Sequence, residues 1–146
     1  MDIQINNQPL VLDIYGFGGT ATNNDYASTA FKLSGRMWEI IKSNGIKNKG
    51  KNIWVYEGTH KVFTGVEMED ASYTNNHGLE KMTIHLEKYA YYKHIGSYEL
   101  IKQSGQSMTK ELMQKGYEIV FPYIEIYGHW IKDESKLETE LLMSIK

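Results

Sequence analysis

The sequence predicts an α+β fold in which a strand–helix–strand–strand unit occurs twice, once in about residues 8–76 and once in about residues 77–146. β-rich runs alternate with two stretches of helical periodicity. Each helical stretch is followed by a glycine, Gly45 or Gly116, that favours a helix end. One strand pattern also recurs in both halves. At 146 residues the chain is expected to form a single domain with its own core.

The first unit opens with residues 11–17 (VLDIYGF), an alternating run that is expected to stop at Gly18 and Gly19. Polar residues 23–25 are candidate N-caps for a helix that runs to about Ser43. Small and apolar residues recur in it at helical spacing: Ala27, Ala30, Phe31, Ser34, Met37, Trp38 and Ile41. Two strand-like runs follow, NIWVYEG and KVFTGVEME, and a polar loop over residues 70–78 separates the halves.

The second unit repeats this order. Residues 82–96 (MTIHLEKYAYYKHIG) are typical of extended structure, and Ser97 is a candidate cap for a helix over residues 100–115. One face of that helix carries Ile101, Gly105, Met108 and Leu112. An aromatic strand in residues 121–130 (FPYIEIYGHW), a polar turn at residues 132–135 and a final strand complete the chain.

The repeated strand pattern is YIEIY in the second half and NIWVY in the first. When the two are aligned, Trp54 falls on Glu125 and Tyr56 falls on Tyr127. The matching order of elements favours a duplicated unit over a chance similarity.

Alternation along these strands divides their side chains between two faces. Ile53, Val55, Ile124 and Ile126 form an apolar face that we expect to pack on the helices. Trp54, Tyr56, Tyr123, Glu125 and Tyr127 then share the other face, where aromatic rings surround one carboxylate. If the halves lie side by side about a pseudo-twofold axis, these residues meet in a cleft. The alternative for Glu125 is an exposed, hydrated strand residue.

The second half resembles the GyrI-like family of effector-binding domains. The residues that carry the resemblance are YAYYKHIGSYE, QKGYEI, FPYIEIY and ELLMSIK, in order over residues 89–146. The resemblance implies a curved antiparallel sheet with two helices on one side and a ligand groove on the other. It also implies that Glu125 lies in that groove with Tyr127 beside it, whereas Trp54 is inferred from the internal repeat alone. Tyr91, in the aromatic strand, completes the candidate ligand-binding set.

A carboxylate among aromatic rings suits a lipophilic aromatic ligand, a cation in particular, because the rings supply cation–π attraction and the acid supplies countercharge. We therefore expect a small-molecule binder. Some members of the family resemble hydrolases of cyclopropane-containing toxins, so a second hypothesis makes Glu125 a general base and Tyr127 a proton donor. A third is a gyrase-inhibitor-like interaction protein. The sequence does not separate these hypotheses and names no protein partner.

Composition limits the other function classes. Sixteen basic and eighteen acidic residues give a net charge of −2, which provides no drive toward nucleic acid or anionic membranes. The absence of cysteine rules out disulfides and thiolate metal sites. No secretory leader, transmembrane stretch or DNA-binding segment is recognisable, so a stand-alone cytoplasmic protein is expected.

No metal or other cofactor is expected either. The five histidines lack metal-ligand spacing. His94, at a strand end, is expected at the surface or at a groove rim. The glycine-rich run at residues 16–20 lacks a complete phosphate-loop motif and is interpreted as a strand-to-helix turn.

Overall fold

Eight strands and two α-helices form the regular structure of residues 1–70 and 77–146, the part of the chain that the computed structural model describes. The strands and helices follow one another as β1 (Gln4–Asn6), β2 (Leu10–Thr20), α1 (Tyr26–Ser43), β3 (Asn52–Gly58), β4 (Lys61–Val66), β5 (Glu80–Leu86), β6 (Tyr89–Ile95), α2 (Ile101–Gln114), β7 (Ile119–Tyr127) and β8 (Glu138–Ile145). Short 3₁₀ turns at Tyr98–Leu100 and Glu134–Lys136 precede α2 and β8.

All eight strands join one antiparallel sheet in the order β1-β6-β8-β7-β3-β4-β2-β5. β3 and β7 are neighbours at its centre. From there the first half continues outward as β4 and β2, and the second half as β8 and β6. Each half therefore places its strand–helix–strand–strand elements in the same spatial order, and the predicted α+β class is confirmed.

The sheet curls strongly. β5 lies at one edge and β6 lies one strand in from the other edge, yet only Glu87 and Lys88 separate them in the chain. The two ends of the sheet must therefore approach each other. A core cluster on the inner face joins Ile14 and Ile84, from one end, to Leu142 near the other. Burial of this apolar surface is the main contribution that stabilises the curled shape of the sheet.

Both helices pack on the outer face of the curled sheet. In α1, Met37 and Ile41 contact strand residues that include Phe17, and in α2, Met108 and Leu112 contact β6 and β8. This differs from the expected arrangement in two respects. Ile53, Val55 and Ile124 belong to the inner cluster and Ile126 packs against it, so they do not face the helices. The groove therefore lies on the same side of the sheet as the helices. The reason is that the curled sheet covers its own inner face.

The predicted helix boundaries are confirmed by specific contacts. Asp25 caps α1, because its side chain accepts a hydrogen bond from the Ser28 amide at 3.1 Å. Gly45 follows the helix with a φ of 60°, a conformation that glycine adopts without strain. Ser97 caps the 3₁₀ turn that leads into α2, and Gly116 follows that helix with a φ of 85°.

The glycine-rich run is part of a strand rather than a turn. β2 continues through Gly18 and Gly19 to Thr20, paired with β4. Glycine is needed at Gly16, where a Cβ would overlap the carbonyl oxygen of Thr64. Strand pairing therefore overrides the turn propensity of these glycines.

The predicted polar loop over residues 70–78 and the boundary between the halves fall largely on residues 71–76, which lie outside the described residues. No helix in the described part of the chain is long and apolar enough to cross a membrane.

Candidate functional site

A groove of about 1620 Å³ opens between α1 and α2, above the central strands of the sheet. Its floor consists of five residues from β3 and β7: Trp54, Tyr56, Tyr123, Glu125 and Tyr127. Its walls come from one side of each helix: Ala27, Phe31, Ser34, Gly35 and Trp38 from α1, and Ile101, Lys102, Gly105, Gln106, Thr109, Lys110 and Met113 from α2. The five residues that strand alternation placed on one face are thus brought together.

Antiparallel pairing of β3 with β7 fixes the arrangement of the floor. Trp54 lies opposite Glu125, and Tyr56 lies opposite Tyr123. Residues two apart on a strand share a face, so these two cross-strand pairs point the same way. Tyr127, two residues beyond Glu125, extends the same row.

Glu125 is the buried acid of this floor, with only 8% of its surface exposed. One carboxylate oxygen, Oε1, accepts hydrogen bonds from the hydroxyls of Tyr127 at 2.7 Å and Tyr56 at 3.3 Å. The other, Oε2, accepts one from the hydroxyl of Tyr123 at 2.9 Å. Hydrogen bonds to an ionised acceptor are stronger than neutral ones, so three tyrosines compensate part of the cost of burying the carboxylate. The hydrated, exposed alternative for Glu125 is excluded.

These hydrogen bonds supply no positive charge. Within residues 1–70 and 77–146, no Lys, Arg or His side chain forms an ion pair with Glu125. The groove-lining lysines, Lys102 and Lys110, are exposed residues of α2. The floor therefore holds a buried carboxylate whose hydrogen-bond partners among the described residues are all neutral hydroxyls.

The electrostatic effect of Glu125 is visible in its three partners. Burial raises the pKa of the Tyr56, Tyr123 and Tyr127 hydroxyls well above the usual tyrosine value, and the charge of Glu125 and the hydrogen bonds to it raise each pKa further. The three hydroxyls are therefore protonated donors throughout the physiological pH range.

The aromatic rings around Glu125 also pack against one another. Trp54 meets Tyr127 edge-on with ring centroids 4.8 Å apart. Tyr56 stacks on Tyr123 at 5.6 Å, and Tyr98, just before α2, meets Tyr127 edge-on at 5.5 Å. Such aromatic pairs add to the stability gained from burial and fix the ring orientations. The floor is consequently preorganised before any ligand enters.

Comparison with known families supports a binding role for this fold. The model of the GyrI-like small molecule binding domain matches residues 32–146, well over half of the chain. The chain belongs to this family. The match covers most of α1, all of α2 and both strands of the groove floor, so the family resemblance predicted from the second half is confirmed and extends into the first. Comparison with curated proteins gives no match.

Solved structures similar to this GyrI-like domain cover nearly all of it at low sequence identity. SAV2435 bound to tetraphenylphosphonium is 19% identical, with a TM-score of 0.68 over 100% of this chain and 94% of that one. The EcmrR C-terminal domain is 14% identical, with a TM-score of 0.70 over 100% and 99%. EcmrR in its complex with DNA is 12% identical, with a TM-score of 0.70, and this chain spans 57% of its length. These similarities establish the fold alone.

Tyr91 does not line the groove of this GyrI-like domain. It pairs with Leu142, which pairs in turn with Ile124, and all three belong to or pack against the inner cluster. Its hydroxyl donates to Glu140 at 2.7 Å. The row of Glu125 contains Tyr92 instead, and Tyr92 packs in the core under α2. The sequence did not indicate this position, because an aromatic strand alone does not reveal its register with β8.

Sequence reasoning missed the helix residues of the groove. Phe31 was noted only for its helical spacing, but it lines the groove and 72% of its surface is exposed. Tyr98, Gly105 and the 70% exposed Trp130 also line the groove. The available signal was a second stripe beside the core stripe of α1, at Ala27, Phe31, Gly35 and Trp38, which recurs at helical spacing.

His94 is buried and away from the groove, contrary to the expected surface or rim position. Its ring bonds the Ser104 hydroxyl at 2.8 Å and the Ser97 carbonyl at 3.0 Å, and it therefore ties β6 to the start of α2. Across the described residues, no three His, Asp or Glu side chains converge to hold a metal ion.

Proposed function

We propose that this GyrI-like domain binds lipophilic aromatic cations in the groove between α1 and α2, with Glu125 as the countercharge. Trp54, Tyr56, Tyr123 and Tyr127 surround the ligand with rings. The proposal makes the protein a binder of compounds that share charge and aromatic surface, rather than of one compound recognised by shape.

The observation that carries the proposal is the electrostatic state of the floor. Glu125 is almost fully buried, three hydroxyls donate to it, and no cation of the described chain pairs with it. A buried charge without an opposite charge is costly. A ligand cation that enters the groove offsets this cost, so cations gain affinity that neutral compounds of the same shape do not.

The aromatic walls add attraction of their own. Each cation–π contact contributes about 0.5–2 kcal/mol, more when the site is desolvated. Two or three such contacts, together with the charge pair between the ligand and Glu125, would support a micromolar dissociation constant. That constant corresponds to a binding free energy of about 8 kcal/mol. The ligand of the structural neighbour SAV2435, tetraphenylphosphonium, belongs to this chemical class. It is therefore the first probe to use.

The test is isothermal titration calorimetry with tetraphenylphosphonium and with triphenylphosphine oxide, a neutral compound that carries three of the same rings. The wild-type protein is compared with Glu125→Gln. We expect the variant to bind the cation about tenfold or more weakly, a loss of ~1.4 kcal/mol or more. Its affinity for the neutral compound should change less than about threefold.

Glu140→Gln is the matched control. It also removes a carboxylate that accepts a tyrosine hydroxyl, but one on the other face of the sheet. Affinity for both compounds should equal that of wild type. Equal losses for cation and neutral compound in Glu125→Gln would reject the countercharge role.

A parallel experiment distinguishes the binding hypothesis from the hydrolase hypothesis. The two probes and a set of cyclopropane-containing compounds are incubated with the protein, recovered and analysed by mass spectrometry. A binder returns them unchanged. Conversion of a compound by wild type but not by Glu125→Gln would instead identify the protein as an enzyme. If wild type binds neither probe in the calorimeter, the proposal is overturned.

A further inference from the structure

Each of the two helices that form the walls of the groove contains one glycine at the groove surface. Gly35 lies in the middle of α1 and Gly105 in the second turn of α2. Both line the groove. Glycine is among the least favourable residues inside a helix, because it gives up the most backbone freedom when it folds. Its presence once in each wall calls for a compensating role.

Neither backbone geometry nor packing accounts for these glycines. Neither residue has the positive φ that favours glycine. A Cβ at Gly35 would meet no atom within 4 Å. A Cβ at Gly105 would meet only the Tyr123 hydroxyl, at 3.8 Å, which is ordinary van der Waals contact. By contrast, Gly16 in β2 has a packing reason, since a Cβ there would overlap a carbonyl oxygen.

The position of Gly105 connects it to the charged floor. The Tyr123 hydroxyl that faces it donates to Glu125 at 2.9 Å. A side chain at position 105 would therefore occupy the space beside the tyrosine–carboxylate network. Gly35 leaves the corresponding space open on the opposite wall. The missing side chains therefore leave open space at one position in each wall.

We infer that Gly35 and Gly105 are specificity-determining residues that set the width of the groove and admit bulky, non-planar aryl cations to Glu125. This inference rests on the proposed function and adds the ligand class. Flat cations need little of this width, whereas a cation with four aryl groups around a central atom fills it.

The test compares tetraphenylphosphonium, which is non-planar, with N-methylquinolinium, which is flat. Their dissociation constants are measured by calorimetry for wild type, Gly105→Leu, Gly105→Ala and Gly35→Leu. We expect Gly105→Leu and Gly35→Leu to weaken tetraphenylphosphonium by about tenfold or more, and N-methylquinolinium by less than about threefold. Gly105→Ala should weaken only the bulky cation, by about two- to threefold.

Ser107→Leu is the control on the same helix. Ser107 is exposed and does not line the groove, so both constants should match those of wild type. Circular dichroism identifies any variant that fails to fold, and in that case Gly105→Ala decides. Folded variants that bind both cations as wild type does, or lose both equally, overturn the inference and leave the proposed function standing. Failure of wild type to bind either cation overturns the proposed function itself.

Discussion

Trp54 and Glu125 lie directly opposite each other on the two central strands of the sheet. They are also the residues that superpose when the two halves of the sequence are aligned. A pair that is both repeat-equivalent and cross-strand paired lies on the axis that relates the halves. An undiverged duplication would place two identical side chains there. Here one copy supplies a ring and the other an acid, which gives a symmetric scaffold an asymmetric floor.

The first prediction concerns this pair. Trp54→Ala should weaken both tetraphenylphosphonium and triphenylphosphine oxide by about tenfold, because the indole supplies stacking surface rather than charge. The free energy of unfolding should fall by less than the ~3–5 kcal/mol of a fully buried aromatic truncation, since Trp54 is only partly buried. Calorimetry and urea unfolding measure the two effects. The control is Tyr91→Phe, on the inner face, which should leave both affinities unchanged. If Trp54→Ala lowers the affinity for tetraphenylphosphonium alone, a stacking role is contradicted.

The second prediction concerns the unequal hydrogen bonds to Glu125. Tyr123 is the protein donor to Oε2, whereas Oε1 has both Tyr127 and Tyr56. Tyr123→Phe therefore leaves one buried carboxylate oxygen without its protein donor and should cost about 1–3 kcal/mol of unfolding free energy. Tyr56→Phe removes a longer bond and leaves Oε1 paired, so its cost should be smaller, about 0.5–1 kcal/mol. Urea unfolding of the two variants in parallel checks the order, and the reverse order would refute this account.

The third prediction is a loss of stability at high pH. Burial, then the charge of Glu125, raise the pKa of Tyr56, Tyr123 and Tyr127 above the unfolded value near 10. Their contribution to stability is thus fully present below pH 10. Above it the unfolded chain ionises while the folded protein keeps its protons, so the unfolding free energy falls by ~1.4 kcal/mol per pH unit for each tyrosine.

Urea unfolding at several values between about pH 9 and 11 measures this slope. In Tyr127→Phe the slope should be shallower than in wild type, because one titrating group is gone, and the difference should approach ~1.4 kcal/mol per pH unit at the upper end of this range. Tyr91, whose pKa burial also raises, is present in both proteins and cancels in the comparison. Identical slopes in the two proteins would show that Tyr127 does not retain its proton in the folded state.

The fourth prediction separates a glycine that the fold requires from one that it does not. Gly35→Ala adds a methyl group to open space in a helix and should raise the unfolding free energy by up to about 1 kcal/mol. Gly16→Ala forces a methyl group into the Thr64 carbonyl oxygen and should lower it by at least about 2 kcal/mol. Chemical denaturation measures both, and a stabilised Gly16→Ala would contradict the close approach of β2 to β4.

Much of the candidate site could be predicted because strand alternation is local. Period-two alternation in NIWVY and YIEIY places Trp54 with Tyr56, and Glu125 with Tyr123 and Tyr127, whatever the rest of the chain does. Helix ends were predictable for the same reason, since caps and stop glycines act within a few residues. The division into repeat halves at residue 76 stays a prediction.

The remaining features depend on contacts between distant segments. Strand alternation cannot tell which face the helices cover, because the sheet curls and buries Ile53 and Ile124 against its own ends. It cannot reveal that Tyr91 belongs to the inner row either, since that follows from the register of β6 with β8. Nor can it bring Gly105 over the Tyr123 hydroxyl.

The sequence by itself thus determined the α+β class, the order of elements and the set of residues that share a strand face. Tertiary structure decided that this face lies between the helices, that three hydroxyls converge on Glu125, and that the groove is open beside it. The physical reason is range: backbone periodicity and caps act over a few residues, whereas sheet curvature, register and burial arise only when segments far apart in the chain meet.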